Sequence, residues 1–115
     1  QKRYDSLLND LAIIKPYQDQ DNYSALHLYP IQVDLESIDK SRQQIFDELR
    51  QSGIGVNVHY IPIHTQPYYQ QLGFQEGSFP NSEVYYDRAI SIPLFHTMTL
   101  EQQDEVVNNL KSILI

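Results

Sequence analysis

The chain has 115 residues, a formal net charge of -7, no cysteine and nine tyrosines. That size supports one domain with a modest core. The acidity and the scatter of eight basic residues argue against a nucleic-acid or anionic-membrane surface, which needs clustered Lys and Arg. The lack of cysteine excludes disulfides and thiolate metal sites and fits a cytoplasmic protein.

Taken in chain order, Tyr4, Leu7, Leu8, Leu11 and Ala12 fall at helical spacing. The helix they predict should run to about Ile14 and stop before Lys15-Pro16, since a residue before proline avoids helical geometry. No capping residue precedes it, and the chain opens on Gln1. Both features fit a piece of a larger protein divided within an interdomain helix; a frayed end or trimmed tag gives the same pattern. Tyr4, Leu7, Leu8 and Leu11 are then expected to contribute to an apolar face that meets the missing part, through which the piece could self-associate.

A polar stretch leads to Ala25–Val33, which reads as a strand. Pro30 cannot donate to a ladder, so an edge position or a bulge is expected. Ser41 and Gln44 match a capping box before a helix buried through Ile45, Phe46 and Leu49, with Gly53 placed to end it in a left-handed turn. Ile54, Val56 and Val58 alternate as a strand. Pro67–Leu72 predicts a short helical turn closed by Gly73. Pro80 starts another helix, with Glu83 near the positive end of its dipole. Ile90–Leu94 alternates as a short strand. Thr99 and Gln102 form a second capping box, opening a helix buried through Val106, Val107, Leu110, Ile113 and Leu114. This order predicts an α/β, two-layer sandwich: a small, mainly antiparallel sheet of about three strands with helices packed on one face.

The strand from Gly53 runs into a loop, His59 to Tyr69, that holds two prolines, two histidines and three tyrosines. Prolines fix its path, and imidazole and phenol rings offer flat faces with polar tips, as in the wall of a binding cleft. His59 and His64 lie five residues apart with Pro62 between them, which disfavours a helical zinc pair. His59 is either a solvated surface group or a lining residue that hydrogen-bonds a ligand. The tyrosine pairs, Tyr68-Tyr69 and Tyr85-Tyr86, are expected to pack with one ring inward and one outward. Arg88 suits a surface ion pair or an anion. No nucleophile elbow, phosphate loop or inward carboxylate pair is present, so the residues alone give a cleft wall without a catalytic constellation.

Beyond single residues, the chain resembles the C-terminal small domain of the DegT/DnrJ/EryC1/StrS sugar aminotransferases, fold-type I enzymes that use pyridoxal 5'-phosphate (PLP). The resemblance is carried by Leu26–Ile31, by Gly53–His64 with Gln66–Tyr69, by Leu72–Phe74 and Phe79–Glu83, and by Ala89–Leu94 with Met98-Thr99. Within the family, the Val58–Tyr69 and Ala89–Met98 stretches look most like the PseC group. Those enzymes aminate UDP-2-acetamido-2,6-dideoxy-β-L-arabino-hex-4-ulose at C4, towards pseudaminic acid.

The resemblance implies that residues 1–115 form the small domain, with residues 1–15 in an interdomain helix, and that the large PLP-binding domain lies outside this chain. It implies an amino group passed from L-glutamate to a UDP-4-keto-6-deoxy amino sugar in a cytoplasmic homodimer. The fragment itself is expected to be inactive. None of Lys2, Lys15, Lys40 or Lys111 sits in the family's Schiff-base context, so no catalytic or cofactor-binding residue carries over. What carries over is a substrate-facing wall: His59, Tyr60 and His64, with His27 and Tyr29 nearby. The rival readings are another keto nucleotide sugar, such as an amino-arabinose precursor, and a free-standing α/β ligand-binding or interaction module.

Overall fold

The computed structural model describes all 115 residues. Its elements are α1 (Lys2–Leu7), β1 (Ile13–Ile14), β2 (Tyr29–Val33), α2 (Arg42–Gln51), a 3₁₀ turn (Ile63–Thr65), α3 (Pro67–Gln71), α4 (Pro80–Arg88), β3 (Ala89–Ile92) and α5 (Leu100–Leu114). The strands form one antiparallel sheet in the order β1-β2-β3. Tyr29, Ile31 and Val33 of β2 and Ile90 and Ile92 of β3 turn one face of that sheet into the core. Ile45 and Leu49 of α2 and Val106, Val107, Leu110 and Ile113 of α5 cover it. The expected two-layer α/β sandwich is therefore the fold.

Local chemistry sets the long helices. Ser41 Oγ accepts from the Gln44 amide at 3.2 Å while Gln44 Oε1 accepts from the Ser41 amide at 2.8 Å. Thr99 and Gln102 repeat this reciprocal cap at the head of α5. Past the end of α2, Gly53 takes φ +81°. Its amide reaches the Arg50 carbonyl, and the Ile54 amide reaches the Leu49 carbonyl, which is a Schellman ending.

Five expectations need correction. The first helix ends at Leu7 rather than near Ile14. Turn-forming Asn9 and Asp10 follow it, Lys15 Nζ ties back to the Asp5 carbonyl and to Asn9, and Ile13-Ile14 pair with Val33 and Gln32 instead. Tyr4, Leu8 and Leu11 are buried in this domain's own core, so they do not form an exposed apolar face.

The Gly53–Val58 segment is not a ladder strand. Its Ile54 amide is committed to the helix ending and its Val56 amide to the Ile54 carbonyl, which leaves Asn57 alone to exchange two hydrogen bonds with Ser91. Ile54 and Val56 are nevertheless buried.

Pro30 lies in the middle strand, which itself starts at Tyr29 and not at Ala25. Ser91 spends its backbone groups on Asn57, so Pro30 and Ser91 face each other as a non-hydrogen-bonded pair. The other flank of Pro30 is free, because β1 reaches only Val33 and Gln32. The proline thus costs no ladder bond. In β3 all four residues are buried: Ile90 and Ile92 enter the core, whereas Ala89 and Ser91 sit on the opposite face.

Candidate functional site

The Asn57–Ser91 bridge fixes the start of the histidine- and tyrosine-rich loop against β3. Two residues on, His59 Nδ1 meets the buried Ser91 hydroxyl at 2.9 Å. Backbone pairing and side-chain bonding therefore converge on one serine and set the imidazole. The ring lines an open groove of about 460 Å³. His27 borders it from the segment before β2, and Leu94, Phe95 and Met98 from the turn after β3. Glu105 of α5 adds a carboxylate. Tyr60 is 73 % exposed and sets its ring edge-on to His59 at 4.7 Å between centroids.

The five predicted site residues separate into three places. His59 and His27 share the groove, whereas Tyr60 stands beside His59 outside its lining. His64 is only 6 % exposed. Its Nε2 lies 2.6 Å from Glu83 Oε1, and its ring packs on Phe79 at 4.9 Å. It borders a second, aromatic hollow of about 350 Å³ with Ile63, Tyr69 and Phe74. Tyr29 is 1 % exposed, packs on Tyr4 at 5.1 Å and donates its hydroxyl to Asp5 Oδ1 at 2.6 Å. It belongs to the core and does not reach the groove. Burial, then the hydrogen bond to Asp5, pushes its phenol well above the ordinary tyrosine range.

Sequence reasoning missed Ser91 and Glu83 as partners of the two histidines. The signal for Ser91 was a lone polar residue inside an apolar strand, Ile90-Ser91-Ile92. For Glu83 it was an acid in the first turns of α4, which reads equally well as a dipole complement. The Glu83 carboxyl is held below the usual range, first by its bond to His64 and then by the Gly77 amide. Arg88 makes an ion pair with Glu36 at 3.4 Å, the surface alternative of the two considered. Tyr68 is exposed and Tyr69 only at the margin of exposure, so neither ring of that pair is buried.

PLP requires an amine for its Schiff base and cationic or amide donors for its phosphate. No lysine or arginine lines the groove. Lys15 is bound to α1, and Lys40 to Glu48 and the Ile113 carbonyl. The lining of this groove supplies neither the amine nor the cationic donors of a PLP site. No helix of the chain is long and apolar enough to cross a membrane.

The sequence profile of the DegT/DnrJ/EryC1/StrS aminotransferase family matches residues 1–111. The chain belongs to that family. As a DegT/DnrJ/EryC1/StrS member it is 36 % identical over 114 residues to the spore coat polysaccharide biosynthesis protein SpsC of Bacillus subtilis, covering 96 % of this chain and 29 % of SpsC. Among solved structures it superposes on Helicobacter pylori PseC, an aminotransferase involved in pseudaminic acid biosynthesis, with a TM-score of 0.85 at 26 % identity. That match covers 96 % of this chain and 30 % of PseC. The PLP form of the proposed sugar aminotransferase Spr1654 of Streptococcus pneumoniae gives a TM-score of 0.85 at 29 % identity, over 97 % of this chain and 29 % of that one. The family chain described here thus spans about three-tenths of the length of these relatives.

Proposed function

We propose that this chain is the small domain of a PLP-dependent sugar aminotransferase and forms one wall of its substrate cleft. The observation that carries the reading is His59, clamped by Ser91 at the side of an open groove lined by polar side chains but by no lysine or arginine. The small three-stranded fold superposes on sugar aminotransferases at TM-scores of 0.85 and above. In this reading the Schiff-base lysine and the phosphate ligands come from a large domain outside the chain.

The finer proposal is transfer of an amino group from L-glutamate to C4 of a UDP-4-keto-6-deoxy amino sugar, in a cytoplasmic homodimer serving surface polysaccharide or pseudaminic acid synthesis. The names of SpsC and PseC support this direction. His59, His27 and Tyr60 face the sugar in this arrangement. In the full-length enzyme, His59→Ala is expected to raise the KM for the keto-sugar about tenfold, the scale of one lost ligand hydrogen bond whose partner stays buried. An unchanged KM and kcat would remove His59 from the cleft wall. A panel of UDP- and dTDP-keto sugars, assayed with the intact enzyme, tests the finer proposal.

A further inference from the structure

The loop after Asn57 is a strap with two anchors, and the second is a single carboxylate. Its near end is fixed at Ser91 through Asn57 and His59. Between the anchors it shows Tyr60, Ile61 and Ile63 to solvent. At its far end the buried His64 meets Glu83 Oε1 at 2.6 Å. A carboxylate only accepts, so His64 Nε2 carries the proton and donates.

The same carboxylate accepts from the Gly77 amide with both oxygens, at 2.8 and 3.0 Å, and more weakly from the Phe79 amide at 3.4 Å. Gly77 takes φ +86° and Phe79 is the residue before the first turn of α4. Glu83 therefore ties three stretches of chain that have no ladder in common: the 3₁₀ turn of the strap, the Gly77–Phe79 turn, and α4. Phe79, oriented by the same knot, packs on the His64 ring. The α4 helix continues without a break into β3, where Ser91 holds the near anchor. Both ends of the strap are thus referred to one rigid unit.

From this geometry we infer that Glu83 is a positioning residue of the cleft: through His64 it locks the far end of the strap, and so sets His59 against the groove with Tyr60 beside it. His64 then serves as the strap's latch and not as a ligand contact. A buried imidazole without its acceptor would have to find water or move. The Pro62 ring stiffens the stretch between the anchors, so a displaced latch is transmitted along the strap and not absorbed within it.

This inference rests on the cleft-wall reading, and the test separates the two. In the full-length enzyme, Glu83→Ala, Glu83→Gln and Glu76→Gln are compared, Glu76 being a neighbouring exposed carboxylate. Hydrogen exchange read by mass spectrometry over residues 58–66 and 74–80 reports the latch without reference to activity. Glu83→Ala is expected to speed exchange in both peptides and to raise the KM for the keto-sugar about tenfold, the scale of a lost charge-assisted bond, with a smaller change in kcat. Glu83→Gln keeps one acceptor oxygen, which His64 and Gly77 can share as they share Oε1, but loses the second acceptor on Gly77, so it should recover both signals in part. Glu76→Gln should alter neither. Unchanged exchange in Glu83→Ala overturns the latch whatever the kinetics. Faster exchange with an unchanged KM overturns the positioning role. If His59→Ala is also silent, the cleft-wall reading falls with it; if His59→Ala raises KM, only the role of Glu83 falls.

Discussion

Tyr29 was expected at the substrate, and the structure places it in the core; Tyr29→Phe decides between the two. The substitution removes one oxygen and no packing volume. The lost bond is the Tyr29 hydroxyl donating to Asp5 Oδ1 at 2.6 Å. Hydrogen bonds to a charged group contribute about 1.5–3 kcal/mol. Asp5 is half-buried and keeps the Gln1 amide at 2.9 Å, so its carboxylate is not stranded, and the lower end applies, about 1.5–2 kcal/mol. For a domain of this size that lowers Tm by roughly 5–10 °C. Thermal unfolding of the chain by far-UV circular dichroism measures it, alongside keto-sugar kinetics of the full-length enzyme, where KM should not move. An unchanged Tm with a raised KM would refute the placement and return Tyr29 to the ligand. Tyr29→Ala, which opens a cavity beside Tyr4, should cost about 3–5 kcal/mol.

The remaining predictions concern the same framework. Tyr4 and Tyr29 are both held protonated by burial, with phenols raised above their ordinary value. Their stabilisation is complete below the unfolded tyrosine pKa of about 10 and is lost as pH climbs towards the raised folded values. Tyrosinate absorbance at 295 nm should show a late step coincident with loss of ellipticity, and completion of the absorbance change before any unfolding would contradict this. Gly53→Ala should cost about 1 kcal/mol in chemical denaturation from its left-handed backbone alone, because a Cβ there meets nothing within 4 Å. Ser91→Ala should cost about 1 kcal/mol and raise the sugar KM. Combined with His59→Ala it should add almost nothing further to KM, since the two side chains act as one unit; full additivity would show that they act separately.

Much of the framework was legible because it is local. Ser41 with Gln44, Thr99 with Gln102 and Gly53 at +81° each serve backbone groups a few residues away, and Pro80 in a first turn removes a donor that would have had no partner. The apolar face of α5 follows from helical spacing alone. What failed was decided by distant partners. Tyr4, Leu8 and Leu11 keep their helical spacing, yet the chain turns at Asn9 because Ile13-Ile14 have Val33 and Gln32 to pair with. Ile54, Val56 and Val58 alternate, yet the helix ending consumes the amide that would start a ladder. The site divides the same way. His59 was visible as an imidazole entering a proline-fixed loop. Its partner Ser91 lies 32 residues on and that of His64 lies 19 residues on, and no local pattern couples them.

The chemistry of the groove limits what this wall can hold. Its polar groups are His27, Asn57, His59, Ser91 and Gln102, with one carboxylate, Glu105, and no lysine or arginine. Leu94, Phe95 and Met98 supply apolar area beside them. Such a surface suits a pyranose ring, which presents hydroxyls at its edge and C–H groups on its face. It does not suit a diphosphate, which needs guanidinium, ammonium or a run of free backbone amides. Under the proposed function, a nucleotide sugar would direct its sugar towards His59 and its phosphates towards groups outside this wall. In the proposed reading that division gives the strap its significance: with no lysine or arginine in the groove, orientation would rest on a few side-chain hydrogen bonds, and these lose their value if His59 shifts by about an ångström. Two anchors, Ser91 and Glu83, on one continuous helix–strand unit hold that position fixed.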